Sequence, residues 1–403
     1  MTHTLVTLLG RSPKGQGSYR ATCYDFGDGK PCEEYAFFGW ALHRRRHPGR
    51  LVILGTAGSM WDHLFEGDIH LGGKAEEERL ALIDTVDDER PVTQDLLDAL
   101  APLLADRLDC ELRLQLIPYC RDEREQNELL RILAANVDDG DVVDLDITHG
   151  FRHLPMLVLL SALHLRRVRG ATIAHIWYAA FDPDTKQAPV HDLAGLLQIA
   201  DWLEVLSAYE QTGDYGLFAQ LIGGDIGDLL AEAGFLETVN RIGQARSCLR
   251  KVLERLDDTG DDPALGLFRD ELRRRIGWAG SDNFYLRQRE LAFEYLRRSR
   301  YRDAILTGWE AFTSRLQQQA GGHLDPDNPE HRQRIRDEFD ERERKKTPRS
   351  ERYRAFDALR RLRNTVAHGS RPKGNEVQRA LSSPQTMTKL LTDLFARLLP
   401  EEA

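Results

Sequence analysis

Through the first half of the chain, short runs of β-branched and aliphatic residues alternate with stretches in which apolar residues return every three or four positions. The runs predict strands over residues 5–9, 51–54, 112–117, 142–147 and 173–179. The intervening stretches predict helices over residues 37–46, 60–65, 76–84, 96–108, 123–137 and 154–167. Strand and helix in alternation is the pattern of a parallel sheet covered by crossover helices, a doubly wound, Rossmann-like α/β domain. After FDPDTKQAPV, where Pro183 and Pro189 punctuate the chain, strand patterns vanish and helical spacing runs to the end. Breaks at Gly223-Gly224, Asp261-Asp262-Pro263, Gly280-Ser281-Asp282 and Gly321-Gly322 cut this half into helices of ordinary length. The expected organisation is an α/β domain over residues 1–188, a helical linker region over 189–285 and an all-α domain over 286–403.

Composition narrows the function classes. A chain of 403 residues with 41% hydrophobic residues can bury more than one core. Its formal net charge of -10 excludes a protein that coats nucleic acid non-specifically, so any RNA contact needs a local basic site. Residues 331–354 interleave both charge signs densely and read as a solvated helical surface rather than a dedicated RNA-binding arm. Cys23, Cys32, Cys110, Cys120 and Cys248 are odd in number and scattered, with no C-x-x-C pair, and read as free thiols in a reducing compartment. The N-terminal MTHTLVTLLGRSPKG lacks the basic start and cleavage site of a signal peptide, and no apolar run is long enough to cross a bilayer. A cytoplasmic protein with no membrane partner is expected.

Two segments carry candidate chemistry. In RRLRNTVAHGSRP, Leu359, Leu362 and Val366 mark the apolar stripe of a helix that ends at Gly369. Asn364 and His368 are four apart and share a face, with Arg363 on an adjoining side, so all three can border one site. A guanidinium beside an imidazole is what metal-independent RNA cleavage requires: the imidazole moves a proton at the 2′-hydroxyl or the leaving oxygen, and the guanidinium stabilises charge on the phosphorane. Basic residues are also favoured in the last turn of any helix, where they oppose its dipole.

The second segment, DVVDLDITHGFRHLPML, reads as a buried strand, a sharp turn and a helix. Ligands of doubly wound sheets bind beyond the carboxyl ends of the strands, where Asp146, Thr148, His149, Gly150 and Arg152 fall. Gly150 permits the turn, and the first amides of the helix offer an anion site beside Arg152. Alternatives are a plain N-cap by Thr148, or a metal pair from His149 and His153, for which no third ligand is evident. A dinucleotide fold would place G-x-G-x-x-G at a helix start after the first strand; Gly15-x-Gly17 is instead followed by the extended SYRATCYDF. Lys14 precedes Gly15, so the turn is not a Walker A loop either.

Arg363-Asn364-Thr365-Val366-Ala367-His368 resembles the R-x4-6-H signature of HEPN ribonucleases, including the Asn after the Arg. Asp146-Ile147-Thr148-His149-Gly150-Phe151-Arg152 is similar to the DxTHGxR motif of CRISPR-associated proteins of type III systems, whose sensory domain is the CRISPR-associated Rossmann fold, CARF. The turn bearing Gly10, Arg11, Gly17, Ser18 and Tyr19 and the LGTAGSMWD segment with Gly55, Thr56 and Ser59 look like the same branch. So do WYAAFDP from Trp177 and DWLEVLSAYEQTGDY from Asp201. The turn GRSPKGQGSYR is longer than that branch's compact glycine turn, which leaves the ring size and the contacts of Arg11, Lys14 and Tyr19 open.

The resemblance implies a receptor for cyclic oligoadenylate, with cyclic tetra-adenylate the expected activator, that switches on a HEPN domain cleaving single-stranded RNA in antiviral defence. It implies a homodimer or higher even-numbered oligomer: the ring lies across a twofold axis, and two helices of the Arg363–His368 type meet in one composite cleft. It implies no catalytic cofactor and no metal. Two other readings keep the sensor. In one the helical half is a scaffold without activity; in the other the sensor cleaves its own ligand, with Thr148, His149 or Arg152 near the scissile phosphates.

Overall fold

The structure is a computed structural model that describes residues 2–11, 19–67, 69, 71, 76–150, 153–258, 263–321 and 328–401. The chain forms two compact units, residues 1–198 and 199–403. In the first unit the elements are β1 (His3–Leu9), β2 (Thr22–Asp25), β3 (Glu33–Tyr35), α1 (Phe38–Arg46), β4 (Arg50–Gly55), α2 (His63–Glu66) and α3 (Glu76–Asp87). Then come α4 (Gln94–Leu108), β5 (Glu111–Leu116), α5 (Glu123–Ala135), β6 (Val142–Asp146), α6 (Leu154–Val168), β7 (Thr172–Ala179) and β8 (Gln187–Asp192). The eight strands form one sheet in the order β3-β2-β8-β7-β6-β1-β4-β5. β1 pairs in parallel with both β4 and β6, β5 with β4 and β7 with β6. This is the Rossmann-like arrangement expected, with the reversal of strand order falling at β1.

Alternation along the central strands explains why both faces are covered. Leu5 and Leu9 of β1 and Leu51 and Ile53 of β4 enter one core, with Phe38 and Leu42 of α1 and Leu97, Leu100 and Leu104 of α4. Val6, Leu8, Val52 and Leu54 enter the other, with Leu129 and Leu133 of α5 and Val158, Ala162 and Leu165 of α6. Strands buried on both sides read as continuous apolar runs, which is how they stand out in the sequence. At the amino edge of the sheet, Arg50 is only 5% exposed and is held by Glu111, Asp138 and Asp141 at 2.7–3.0 Å, so the buried charge is compensated.

Three strands were not expected. β2 and β3 are an antiparallel pair, and β8 joins them to β7, pairing in parallel with β2 and antiparallel with β7. β8 runs across residue 188, where the first domain was expected to stop. The expectation that all five cysteines are free thiols is corrected: Cys23 on β2 and Cys32 just before β3 form a disulfide, Cα–Cα 5.5 Å. The β2–β3 hairpin folds a separation of nine residues back on itself, and this pairing was invisible in the spacing alone. Cys110, Cys120 and Cys248 are free, as expected.

The second unit is helical. It comprises α7 (Gly195–Thr212), α8 (Ala219–Ile222), α9 (Gly224–Thr238), α10 (Ile242–Arg255), α11 (Pro263–Ile276) and α12 (Phe284–Arg297). α13 (Tyr301–Gln319), α14 (Pro329–Arg344), α15 (Glu351–His368), α16 (Asn375–Ala380) and α17 (Pro384–Leu398) complete it. Residues from Trp202 to Leu399 share one core, so the helices of 199–285 and 286–403 pack together. Phe312, Phe339 and Phe356 lie with ring centroids 5.1–5.6 Å apart and lock α13, α14 and α15 to one another. Ser350 caps α15 by accepting from the Tyr353 amide, and Gly369 ends it at φ 57, a left-handed conformation that glycine adopts without strain. Among the described residues, no helix is long and apolar enough to cross a membrane.

Candidate functional site

A cavity of about 390 Å³ opens at the carboxyl ends of β1, β4 and β5. Gly10 and Arg11 from the end of β1, Thr56 and Ser59 from the turn after β4, and Gly150 from the turn after β6 all border it. These five were expected in a ligand site from the sequence. A Cβ at Gly10 would stand 2.8 Å from the Gly150 amide nitrogen and 3.3 Å from the His149 Cβ. The two turns therefore touch backbone to backbone at the point where the strand order reverses, and Gly150 sits at φ +107.

Polar contacts set the shape of the cavity wall. The Ser59 hydroxyl donates to the Leu9 carbonyl at 2.7 Å and lies 3.3 Å from the Thr56 hydroxyl. The Met60 amide donates to the Gly10 carbonyl at 3.0 Å, and the Trp61 indole to the Thr56 carbonyl at 2.8 Å. The turn after β4 is thus tied to the end of β1. Arg11 is 44% exposed and loosely paired with Glu89 at 3.7 Å, a contact that costs little to break. Its guanidinium is the described cation best placed to meet an anionic ligand in this cavity.

Other expected residues hold the turns and do not line the cavity. Asp146 is buried: it accepts from the Thr7 hydroxyl at 2.6 Å and from the Thr148 amide at 2.8 Å, and burial raises its pKa to about 6. The Thr148 hydroxyl accepts from the Ala179 amide, tying the β6 turn to β7. His149 accepts from the Phe38 amide at Nε2, 3.2 Å, and burial, aided by the charge of His63, lowers its pKa to about 4. It is a neutral hydrogen-bond acceptor at ordinary pH. Tyr19 donates to Asp62 at 2.8 Å, and burial first, then Asp62, pushes its phenol up. A Cβ at Gly55 would meet the Trp61 ring at 2.6 Å, so this glycine serves packing. Lys14, Gly17, Ser18 and Arg152 lie outside the described residues.

Sequence reasoning missed Tyr119 and Gly58, which also border the cavity. Tyr119 follows β5 by three residues, at the same carboxyl edge as the others, so the strand-end rule applied to every strand would have found it.

In the helical unit, α15 buries Tyr353, Phe356, Leu359 and Leu362 and leaves Asn364 and His368 exposed. Arg363 donates to the side-chain oxygen of Asn364 at 3.0 Å, and His368 is the last helical residue. Arg363 is half-buried, with its Nε shielded from water and without a hydrogen-bond partner. Its position follows from spacing: Phe356, Leu359 and Arg363 stand at i, i+3 and i+7, on one face. Among the described residues, no group of three or more His, Cys, Asp or Glu side chains is arranged to hold a metal ion.

Comparison with known proteins agrees with the fold of the first unit. Residues 4–182 match the family model described as CRISPR system endoribonuclease Csx1, CARF domain. The chain is also similar to CRISPR-associated protein MJ1674 of Methanocaldococcus jannaschii, 26% identical over 244 residues. That similarity covers 52% of this chain and 37% of the relative, so the chain spans well under half of that protein. The doubly wound sheet of the first unit is in keeping with this similarity to a CARF domain over residues 4–182.

Proposed function

We propose that this chain is a cyclic-oligoadenylate-activated endoribonuclease of type III CRISPR defence. The observation that carries the reading is the cavity bordered by Gly10, Arg11, Thr56, Ser59 and Gly150 in a domain whose family model is named for an endoribonuclease. At about 390 Å³ it is smaller than a cyclic tetra-adenylate, so a ring has to extend beyond one copy. A second copy across a twofold axis supplies the rest and matches a ring of even symmetry. Backbone amides of the glycine turns and the Arg11 guanidinium meet the phosphates, with Lys14, Gly17, Ser18 and Arg152 as further contacts. Asp146, Thr148, His149 and Tyr19 hold the turns in place.

The helical unit acts as the HEPN ribonuclease over residues 286–403, with 189–285 as its supporting region. His368 moves the proton at the 2′-hydroxyl or the leaving oxygen, Arg363 stabilises charge on the phosphorane, and Asn364 orients the Arg363 guanidinium through their hydrogen bond. No metal takes part in this chemistry, and products end in a 2′,3′-cyclic or 3′-phosphate. Native mass spectrometry with a panel of cyclic oligoadenylates tests the sensing half. One ring per two chains is expected, and one ring per monomer would contradict the composite site.

A further inference from the structure

Arg336 of α14 and Arg363 of α15 are both half-buried, and each lies within the other's electrostatic reach. Their arginine neighbours are neutralised: Arg332 by Glu310, Arg334 by Glu338, and Arg360 and Arg361 by Asp357. Among the described residues, neither Arg336 nor Arg363 has a carboxylate within ion-pair distance. Arg336 is instead held by neutral groups. It donates to the Thr313 hydroxyl at 3.3 Å and to the Gln333 side-chain oxygen at 2.9 Å, and its guanidinium lies 5.6 Å from the centroid of the Trp309 ring. Trp309 in turn stacks on Phe356 of α15 at 5.3 Å, the residue two turns before Arg363 on the same face. Burial lowers the Arg336 pKa most; the Glu310 charge opposes this, the charges of Arg332 and Arg363 add to it, and Asp337 opposes it weakly.

Two fixed like charges with donors to spare, one of them with a shielded and unsatisfied Nε, form an arrangement that an anion would complete. Planar guanidinium forks match the oxygens of a phosphate. We propose that Arg336 is a second phosphate-binding residue of the RNA site, and that it and Arg363 together hold one phosphate of the single-stranded substrate. This rests on the reading of α15 as the cleaving helix. Because the contact is to the backbone, it adds affinity without base preference.

The test uses the full chain carrying His368→Ala, so that bound RNA survives, and follows fluorescein-labelled single-stranded RNA by anisotropy at several salt concentrations. For single strands the slope of log affinity against log salt falls by about 0.7 for each phosphate that is no longer neutralised. Adding R336Q should flatten the slope by about that amount and weaken binding alike for RNAs of different sequence. Adding R336K should keep the slope but bind several-fold more weakly, because a lysine cannot supply the two-pronged donor. Melting temperature checks that each variant is folded. An unchanged slope in folded R336Q overturns the proposal, as does wild-type affinity in R336K should R336Q fail to fold. Failure of the His368→Ala chain to bind RNA at any salt would instead overturn the ribonuclease reading itself.

Discussion

Replacing Gly10 with alanine tests the geometry of the sensing cavity. Its Cβ would stand 2.8 Å from the backbone nitrogen of Gly150, a clash no rotamer change can relieve. The φ of Gly10 is not in the left-handed region, so alanine suits the local backbone and the effect is purely steric. The end of β1 has little room to yield, because Leu9 and Gly10 are hydrogen-bonded to the turn after β4. Overpacking of this kind costs about 1–3 kcal/mol of stability. Separating the β1 and β6 turns also moves two walls of the cavity, so the affinity for cyclic tetra-adenylate should fall tenfold or more, about 1.4 kcal/mol. Isothermal titration calorimetry and thermal melting of G10A check both. Gly266→Ala in α11 is the control: its Cβ meets nothing within 4 Å, and it should stabilise by about 0.5–1 kcal/mol without touching ligand affinity. A G10A protein that melts as wild type and binds within threefold would refute the close approach of the two turns.

Three further outcomes are expected. The His149 imidazole should titrate near pH 4 by NMR. Its depressed pKa contributes stability that is full above about 6.5 and is lost as pH falls toward 4, up to about 3 kcal/mol; titration near 6.5 would place the ring in solvent. Asp146 has the opposite sign, because its raised pKa contributes stability at low pH that is lost as pH rises through about 6. D146N, which mimics the neutral acid, should therefore gain on wild type by roughly 3 kcal/mol between pH 4 and 7, and a constant difference in melting temperature would count against the buried carboxyl. Arg363→Ala and His368→Ala should each slow RNA cleavage by on the order of 10² or more while leaving cyclic tetra-adenylate affinity unchanged; a cleavage assay and a calorimetric titration separate the two effects.

β1 and β4 were legible because burial on both faces leaves a nearly unbroken apolar run, whereas β5, at the sheet edge, reads ELRLQL and shows itself by alternation. β2, β3 and β8 read TCYD, EEY and QAPVHD, with too little alternation to announce a strand. Their extended form comes from pairing at the sheet margin, which no local pattern records. The cavity was legible because strand ends and glycine turns are local features and the fold fixes where they meet. What the motif could not reveal is which polar residues face the cavity. Asp146, Thr148 and His149 look as chemical as Arg11 in a string of letters, yet their hydrogen bonds go to Thr7, Ala179 and Phe38, all far away in sequence. Arg363 is different: its place on the face of Phe356 and Leu359 can be read from the spacing, but its closeness to Arg336 depends on α13 and α14 packing on α15.

The proposed link between the cavity and α15 is tested most directly by incubating the purified full chain with labelled single-stranded RNA in EDTA, with and without cyclic tetra-adenylate, and following RNA and ring together. RNA cleavage that rises on adding the ring, persists in chelator and disappears in the His368→Ala chain is the expected result. Cleavage at the same rate without the ring, a requirement for added Mg²⁺ or Mn²⁺, or a His368→Ala chain as active as wild type would contradict it.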